Sequence, residues 1–223
     1  MENWLELLPP LLRGARVTIE LALASTVVGG VLAFAAGIGK LSKRAPIRWL
    51  STVYIEIFRG TSLLVQMFWL FYALPLLGIR LEPTTAGILA LGLNIGAYGA
   101  EVVRGAILAV PKPQYEAAVA LNFTPRYTLW HVALPQAVVE MMPPFGNLVV
   151  QNLKDTALVS LITLTDLTFR AQSLRNLTLD SVPVYTLTLI LYFAMALVLT
   201  LGMRILERVI AHRVGVAQGR ARA

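Results

Sequence analysis

The sequence predicts an all-α fold that lives in a membrane, a single transmembrane domain over residues 1–223 built on five membrane-crossing helices. Three observations carry that expectation. The composition is 57% hydrophobic and only 14% charged, with a mean hydropathy of +0.70. Soluble domains carry about 25% charged residues, so a chain this apolar cannot clothe a water-facing surface. Apolar runs recur at the length a bilayer demands, roughly 20 residues each. The basic residues gather in the short intervals between those runs, so the formal charge of +7 is explained by membrane topology and predicts no nucleic-acid partner.

The first run, 17–39, is interrupted only by Glu20. The second, 60–79, is rich in Leu, Phe and Trp, and the third, 84–108, stays apolar until Glu101 and Arg104. The fourth, 137–164, is broken by Glu140, Asn147, Gln151, Lys154 and Asp155; the fifth is 184–205. The start, Met1 to Leu12, holds Glu2 and Glu6 without a basic stretch and does not resemble a cleaved signal peptide. Gly29, Gly30, Gly37 and Gly39 in the first run suit close helix packing.

Lys and Arg in short loops mark the cytoplasmic side. One side receives Lys40, Lys43, Arg44, Arg48, Lys112, Arg126, Arg204, Arg208, Arg213, Arg220 and Arg222. The other receives Arg13, Arg16, Arg80, Arg170 and Arg175, fewer than half as many. Five helices then place the N-terminus outside and the C-terminus inside. The chain is expected to be a multi-pass protein of the cell's inner (cytoplasmic) membrane, in contact with membrane lipid.

The loop 111–135 is long for a simple connection and reads as two short helices at an angle. Pro113 suits a first helical turn, where a missing N–H costs nothing. The helix continues through Glu116, Ala117, Ala118 and Leu121, and Asn122 tolerates the left-handed position that follows a helix end. Thr124 and Pro125 supply a hydroxyl cap and a proline for a second start. Glu116, in the first turn, favours the positive end of the helix dipole, and the two alanines leave room for close seating against another protein. The residues alone leave two uses open: a docking element, or an interfacial helix resting on lipid.

The stretch Glu116-Ala117-Ala118, three residues, Asn122, nine residues, Val132-Ala133-Leu134-Pro135 resembles the E-A-A loop of ABC-importer permeases. That pattern reads E-A-A, three residues, G, nine residues, I, any residue, L-P. The spacing is kept; Asn122 replaces Gly and Val132 replaces Ile. Further segments resemble the polar-amino-acid permeases: Ile57-Phe58-Arg59-Gly60-Thr61-Ser62-Leu63-Leu64-Val65-Gln66, Gly96 to Gly105, and Lys154-Asp155-Thr156-Ala157-Leu158. The run Thr156 to Phe169 and Pro143-Pro144-Phe145-Gly146-Asn147 are most similar to ectoine/hydroxyectoine permeases.

The resemblance implies a type I ABC-importer transmembrane domain. Its partners would be two ATPase subunits, a second permease, identical or homologous, and an extracytoplasmic solute-binding protein. Glu116, Ala117, Ala118, Asn122, Leu134 and Pro135 would then form the coupling loop.

Ionisable and amide side chains inside a bilayer are costly unless paired or wetted, so they mark candidate functional positions. Asn94, Tyr98 and Glu101 recur at three- and four-residue steps on the third helix; Asn147, Gln151, Lys154 and Asp155 do so on the fourth. With Thr156 they form the candidate solute path. The bland alternatives are helix–helix hydrogen bonding for Asn94 and Asn147, packing for Tyr98, and a local pair or gate for Glu101 with Arg104. Neighbouring helical residues point about 100° apart, so Lys154 and Asp155 cannot share one pore face, and Asp155 is expected to meet solute.

No G-x-x-x-x-G-K-[ST] loop occurs, so no ATP site is expected in this chain. His131 and His212 show no metal-ligand spacing, and there is no cysteine. No cofactor, metal or catalytic residue is predicted: the chain is expected to be a transport subunit, with ATP hydrolysis in a separate one. Two further readings stay open, a membrane scaffold whose loop recruits a partner without transport, and an ion-coupled secondary transporter.

Overall fold

The computed structural model describes residues 4–214, apart from the side chains of Leu5, Arg213 and Val214. Glu2, Arg220 and Arg222, used above, lie outside the described residues. All regular structure among the described residues is helical. In chain order α1 is Trp4–Lys40, α2 Ala45–Gly60, α3 Leu63–Phe68, α4 Pro83–Ala109, α5 Lys112–Ala120, α6 Pro125–Thr128, α7 Leu134–Asp155, α8 Leu167–Thr178 and α9 Ser181–Val214. α1, α4 and α9 are each long and apolar enough to cross a membrane, and the bent pair α2–α3 is a further candidate. α7, at 22 residues, is about 33 Å long but carries the polar residues that thin its apolar signal.

α1 begins well before the apolar run read at 17–39. Its early turns include Pro9 and Pro10 and are held by side-to-side packing: Leu7, Leu11 and Ala15 bury against Leu167 and Ala171 of α8 and Val184 of α9. Tertiary burial, not local apolarity, sets that end of the helix.

The stretch read as one span at 60–79 is a break between two helices. α2 and the α3 segment meet at 105° around Thr61–Ser62. α3 runs on through a π-helical turn, Trp69–Ala73, and a 3-10 turn, Leu74–Leu77, and stops at Gly78, whose φ of 89° only glycine adopts without strain. Gln66 fastens the bend, its Nε2 donating to the Phe58 carbonyl (3.0 Å) and to Thr61 Oγ1 (2.8 Å).

The run read at 137–164 is likewise divided. α7 ends at Asp155, a 3-10 segment follows over Thr156–Ile162, and Thr163 reverses the chain with φ 65°. The segment after it, read as a loop holding Arg170 and Arg175, contains α8. Asp166 caps α8 by accepting from the Phe169 and Thr168 amides at 2.9 and 3.1 Å.

α4 is the hub. More than half of its apolar window is buried, against 11% for α9, whose apolar surface faces outward. α1 lies along α4 with almost no space between the backbones. A Cβ on Gly37 would sit 2.7 Å from the Ala100 carbonyl oxygen, and one on Gly29 would overlap Ile95. Small residues let two membrane helices approach this closely. Gly30 has no heavy atom within 4 Å of such a Cβ, so it takes no part in the packing expected of it.

Candidate solute cavity and coupling surface

α3, α4 and α7, with the bend at Thr61–Ser62, line an open-sided cavity of about 620 Å³. Its polar lining includes Thr61, Asn94, Tyr98, Gln151 and Asp155, and Leu91 and Leu148 contribute apolar wall. Asn94 Nδ2 donates to the Phe58 carbonyl (3.0 Å) and to Gln66 Oε1 (3.3 Å), tying α4 to the bent pair. Gln151 Nε2 donates to Asp155 Oδ1 (2.9 Å), one turn apart on α7. That bond leaves the Asp155 Oδ2 lone pairs available to a donor on a solute. The Arg59 guanidinium lies 5.3 Å from the centre of the Tyr98 ring, a cation–π distance that steadies the ring forming one wall.

The predicted path residues therefore divide. Asn94, Tyr98, Gln151 and Asp155 share the cavity. Thr156 is fully buried, its Oγ1 donating to the Leu153 carbonyl at 2.7 Å, because the chain has by then tightened into the 3-10 segment. Lys154 is exposed on a different face from Asp155. Asn147 lies in a separate notch against α9.

Glu101 is outside the cavity. Its carboxylate receives Lys40 Nζ at 2.6 Å and Arg104 Nε at 2.9 Å, and Lys40 also stands 3.7 Å from Glu56. The Glu101–Arg104 pair read from the i, i+3 spacing is thus one edge of a network joining α1, α2 and α4. Lys40, counted above only as a topology signal, is its centre.

Asn152, which sequence reading passed over, is 3% exposed and holds α7 to α1. Its Nδ2 donates to Ser25 Oγ (2.8 Å), Thr26 Oγ1 (3.1 Å) and the Ala22 carbonyl (3.2 Å). Gln66 and Arg59 were also missed as cavity-shaping residues. An isolated amide in an apolar run was the available signal for Gln66.

The loop between α4 and α7 is built from local rules. At the end of α5, Asn122 adopts φ 57°. The Phe123 amide donates to the Ala118 carbonyl and the Asn122 amide to the Val119 carbonyl, both at 2.9 Å, which satisfies two carbonyls the helix would otherwise leave open. Thr124 Oγ1 accepts from the Tyr127 amide at 3.2 Å and starts α6. Leu134 and Pro135 open α7, after a π-helical turn at Leu129–Ala133.

Glu116 and Ala117 face outward, beside Val119 and Leu121, which are 74% and 67% exposed. Ala118 is 2% exposed and points into the chain's own interior. Of the two alanines expected to leave room for a partner, Ala117 is thus exposed and Ala118 is not. Successive helical residues turn by about 100°, which carries Ala118 from the outward face to the inward one.

Residues 25–214 match the family described as binding-protein-dependent transport system inner membrane component. The chain is 60% identical over 211 residues to the probable amino-acid ABC transporter permease protein y4tF of Sinorhizobium fredii, covering 92% of this chain and 89% of that protein. It is 37% identical over 201 residues to the L-cystine transport system permease protein TcyB of Bacillus subtilis, covering 90% and 86%. Among solved structures, a chain of an amino acid ABC transporter with histidines superposes with a TM-score of 0.86 at 32% identity, covering 93% of this chain and 99% of that one. This chain belongs to the binding-protein-dependent transport system inner membrane components: it is an all-α permease subunit of an ABC importer, a transport component and not an enzyme. That membership does not favour the scaffold or the ion-coupled transporter.

Proposed function

We propose that the chain forms half of the solute pathway of an importer for polar amino acids or amino-acid-like compatible solutes, with ectoine or hydroxyectoine as the particular cargo. The observation that carries the reading is the α3–α4–α7 cavity, in which Asp155 stands among Asn94, Tyr98 and Gln151. A carboxylate in a low-dielectric cavity attracts a solute's ammonium or amidinium, and the surrounding amides can satisfy its remaining polar atoms. The relatives named as amino-acid and L-cystine permeases support the solute class. Ectoine rests on the similarity of Thr156 to Phe169 and Pro143 to Asn147.

In this account the N-terminus is extracytoplasmic, five helices cross the membrane, and the loop 111–135 is cytoplasmic. A binding protein delivers solute to the outer face. A second, homologous permease closes the open side of the cavity, and two ATPase subunits move α5 and α6 of each permease, reorienting the bundles around the solute. Glu116, Ala117, Asn122 and the Leu134–Pro135 entry to α7 form the mechanical link.

The experiment is an uptake competition panel in cells carrying the whole system, with ectoine, glutamate, glutamine, histidine, arginine and L-cystine as competitors. The account expects ectoine to compete best. It also expects Asp155→Asn to lower uptake about tenfold or more while the complex still assembles. Wild-type uptake in Asp155→Asn would remove the cavity from the solute path. Strong competition by L-cystine alone would remove ectoine.

A further inference from the structure

A second polar recess lies on the same helix as Asp155 and is used by nothing described above. Between α7 and α9 there is a notch of about 180 Å³, lined by Gly146 and Asn147 of α7 and by Thr200, Met203, Arg204 and Glu207 of α9. Asn147 is one turn from Gln151 and two turns from Asp155, so the three amide and carboxylate groups make a continuous stripe along α7. At 1.5 Å per residue, Asn147 lies about 12 Å along the axis from Asp155.

The two recesses differ in how their polar groups are occupied. In the cavity, Asn94 is bonded to Phe58 and Gln66, and Gln151 to Asp155. In the notch, Thr200 Oγ1 is returned to its own helix, donating to the Ala196 carbonyl at 2.7 Å. Among the described residues, Asn147 makes no side-chain hydrogen bond, and neither Arg204 nor Glu207 stands within ion-pairing distance of an opposite charge. Arg204 and Glu207, at i and i+3, face one recess with opposite charges and are not bonded to each other. Asn147 and Arg204 are exposed and Glu207 is half-buried, so all three groups can be reached from the notch. Here they offer a guanidinium for a carboxylate, a carboxylate for an ammonium and an amide between them.

We propose that the α7–α9 notch is a second solute-binding station, taking the zwitterionic head of an amino acid or amino-acid-like solute after it leaves Asp155. Arg204 holds the solute carboxylate in a bidentate pair, Glu207 its cationic nitrogen, and Asn147 the group that the cavity releases. The proposal rests on the reading of the α3–α4–α7 cavity as the solute path. It adds a discrimination that Asp155 alone cannot supply. Asp155 selects for positive charge, whereas the notch requires both charges on one small head group.

The chain has no cysteine, so a single reporter thiol can be placed in it and its labelling read on this subunit alone after electrophoretic separation. In the assembled complex in nanodiscs, without ATP, Thr200→Cys is labelled with a water-soluble methanethiosulfonate. Labelling is repeated in the presence of L-glutamine, L-arginine or ectoine, and of 4-aminobutanamide, which is L-glutamine without its carboxylate. The proposal expects labelling to slow about tenfold with the zwitterion that the complex transports and to be unchanged with 4-aminobutanamide. Protection should disappear in Arg204→Gln and persist in Asp155→Asn.

Reporter fusions at the C-terminus check that Arg204→Gln leaves the orientation of α9 unaltered, which separates solute binding from a topology signal. A thiol that the reagent never reaches would overturn the proposal, because the notch would then be sealed by a partner subunit or lipid. So would a thiol that is labelled but protected by none of the zwitterions. Loss of uptake in Asp155→Asn with no protection at Thr200→Cys would sink this station and leave the cavity standing; full uptake in Asp155→Asn would sink the cavity instead.

Discussion

The α5–α6 loop and the α3–α4–α7 cavity are held together in opposite ways. The loop is closed by bonds between near neighbours: Phe123 to Ala118, Asn122 to Val119, Tyr127 to Thr124. The cavity is closed by bonds between distant positions, Asn94 to Phe58 across 36 residues and, behind it, Asn152 to Ala22 across 130. The loop turns Glu116, Val119 and Leu121 outward, with nothing of its own to cover them. The cavity turns polar atoms inward, with Gln151 bonded to Asp155 and Asn94 to Phe58 and Gln66. A part with local bonds and an uncovered face keeps its shape while a partner pushes on it. A part with long-range bonds changes when helices move. Under the proposed function the first is the handle that an ATPase moves and the second the path that deforms.

Substitutions that strike only one of the two parts sharpen this contrast. The largest expected effect is in the bundle. Gly37→Leu forces α1 away from the Ala100 backbone and Val103. Overpacking a close helix contact costs about 1–3 kcal/mol, and more where backbone blocks relief. The variant should fail to yield an assembled complex on size-exclusion chromatography, while Gly30→Leu, at an open position, assembles normally. Equal behaviour of the two would contradict the α1–α4 contact as described.

Asp166 supplies the next effect, through pH. It lies in the connection before α8, outside the spanning helices, and burial raises its carboxyl from 3.8 to about 6 against the opposing bonds from Phe169, Thr168 and Tyr192. The folded chain therefore holds this proton more tightly than the unfolded chain. Its contribution to stability is complete below about pH 3.8 and is lost as pH rises to about 6. The loss is of order 3 kcal/mol. Thermal melts of wild type against Asp166→Asn should show that the variant, which keeps a capping oxygen, lacks this downward slope.

Asn152→Leu removes the bonds from α7 to Ser25 and Thr26, leaving Ser25 only the Leu21 and Ala22 carbonyls of its own helix, a cost of about 1–3 kcal/mol. The melting temperature should fall, yet ATPase co-purification should survive, because the loop owes nothing to that bond. The smallest effect is in the loop. Asn122→Ala places at φ 57° a residue that tolerates the left-handed region less readily than Asn and should cost about 1 kcal/mol, weakening ATPase retention in a pull-down while the global melt scarcely moves. Asn122→Gly should retain the ATPase at least as well as wild type.

The same contrast explains what could be read from the chain itself. Asn122 and Thr124 were legible because a left-handed turn and a helix cap depend on residue type and near neighbours. Asp155 was legible because a carboxylate in an apolar run demands a reason. The bend at Thr61–Ser62 was hidden inside an unbroken apolar stretch, and its fastener, Gln66, acts across the break. α8 was hidden by its polar composition; its existence depends on burial of Leu167 and Ala171 against Leu7, Leu11 and Ala15. Glu101 and Asn147 shared a helical period with cavity residues, but helix rotation in the bundle gave the first to Lys40 and the second to the α7–α9 notch. Periodicity identifies a face; only packing decides what that face meets.

The most direct test of the central claim, that the α5–α6 loop couples this permease to an ATPase, is Glu116→Lys, scored by ATPase co-purification and solute uptake. Glu116 is exposed on the outward face of α5, and reversing a charge at an interface disrupts a matched pair strongly. Ala117→Trp is the steric companion, since Ala118 is buried and a tryptophan there would disturb the chain's own packing. The account predicts that Glu116→Lys inserts and melts as wild type does, loses the ATPase and abolishes uptake. A helix merely resting on anionic lipid would gain affinity from the added lysine. Wild-type ATPase retention and wild-type uptake in Glu116→Lys would contradict the account.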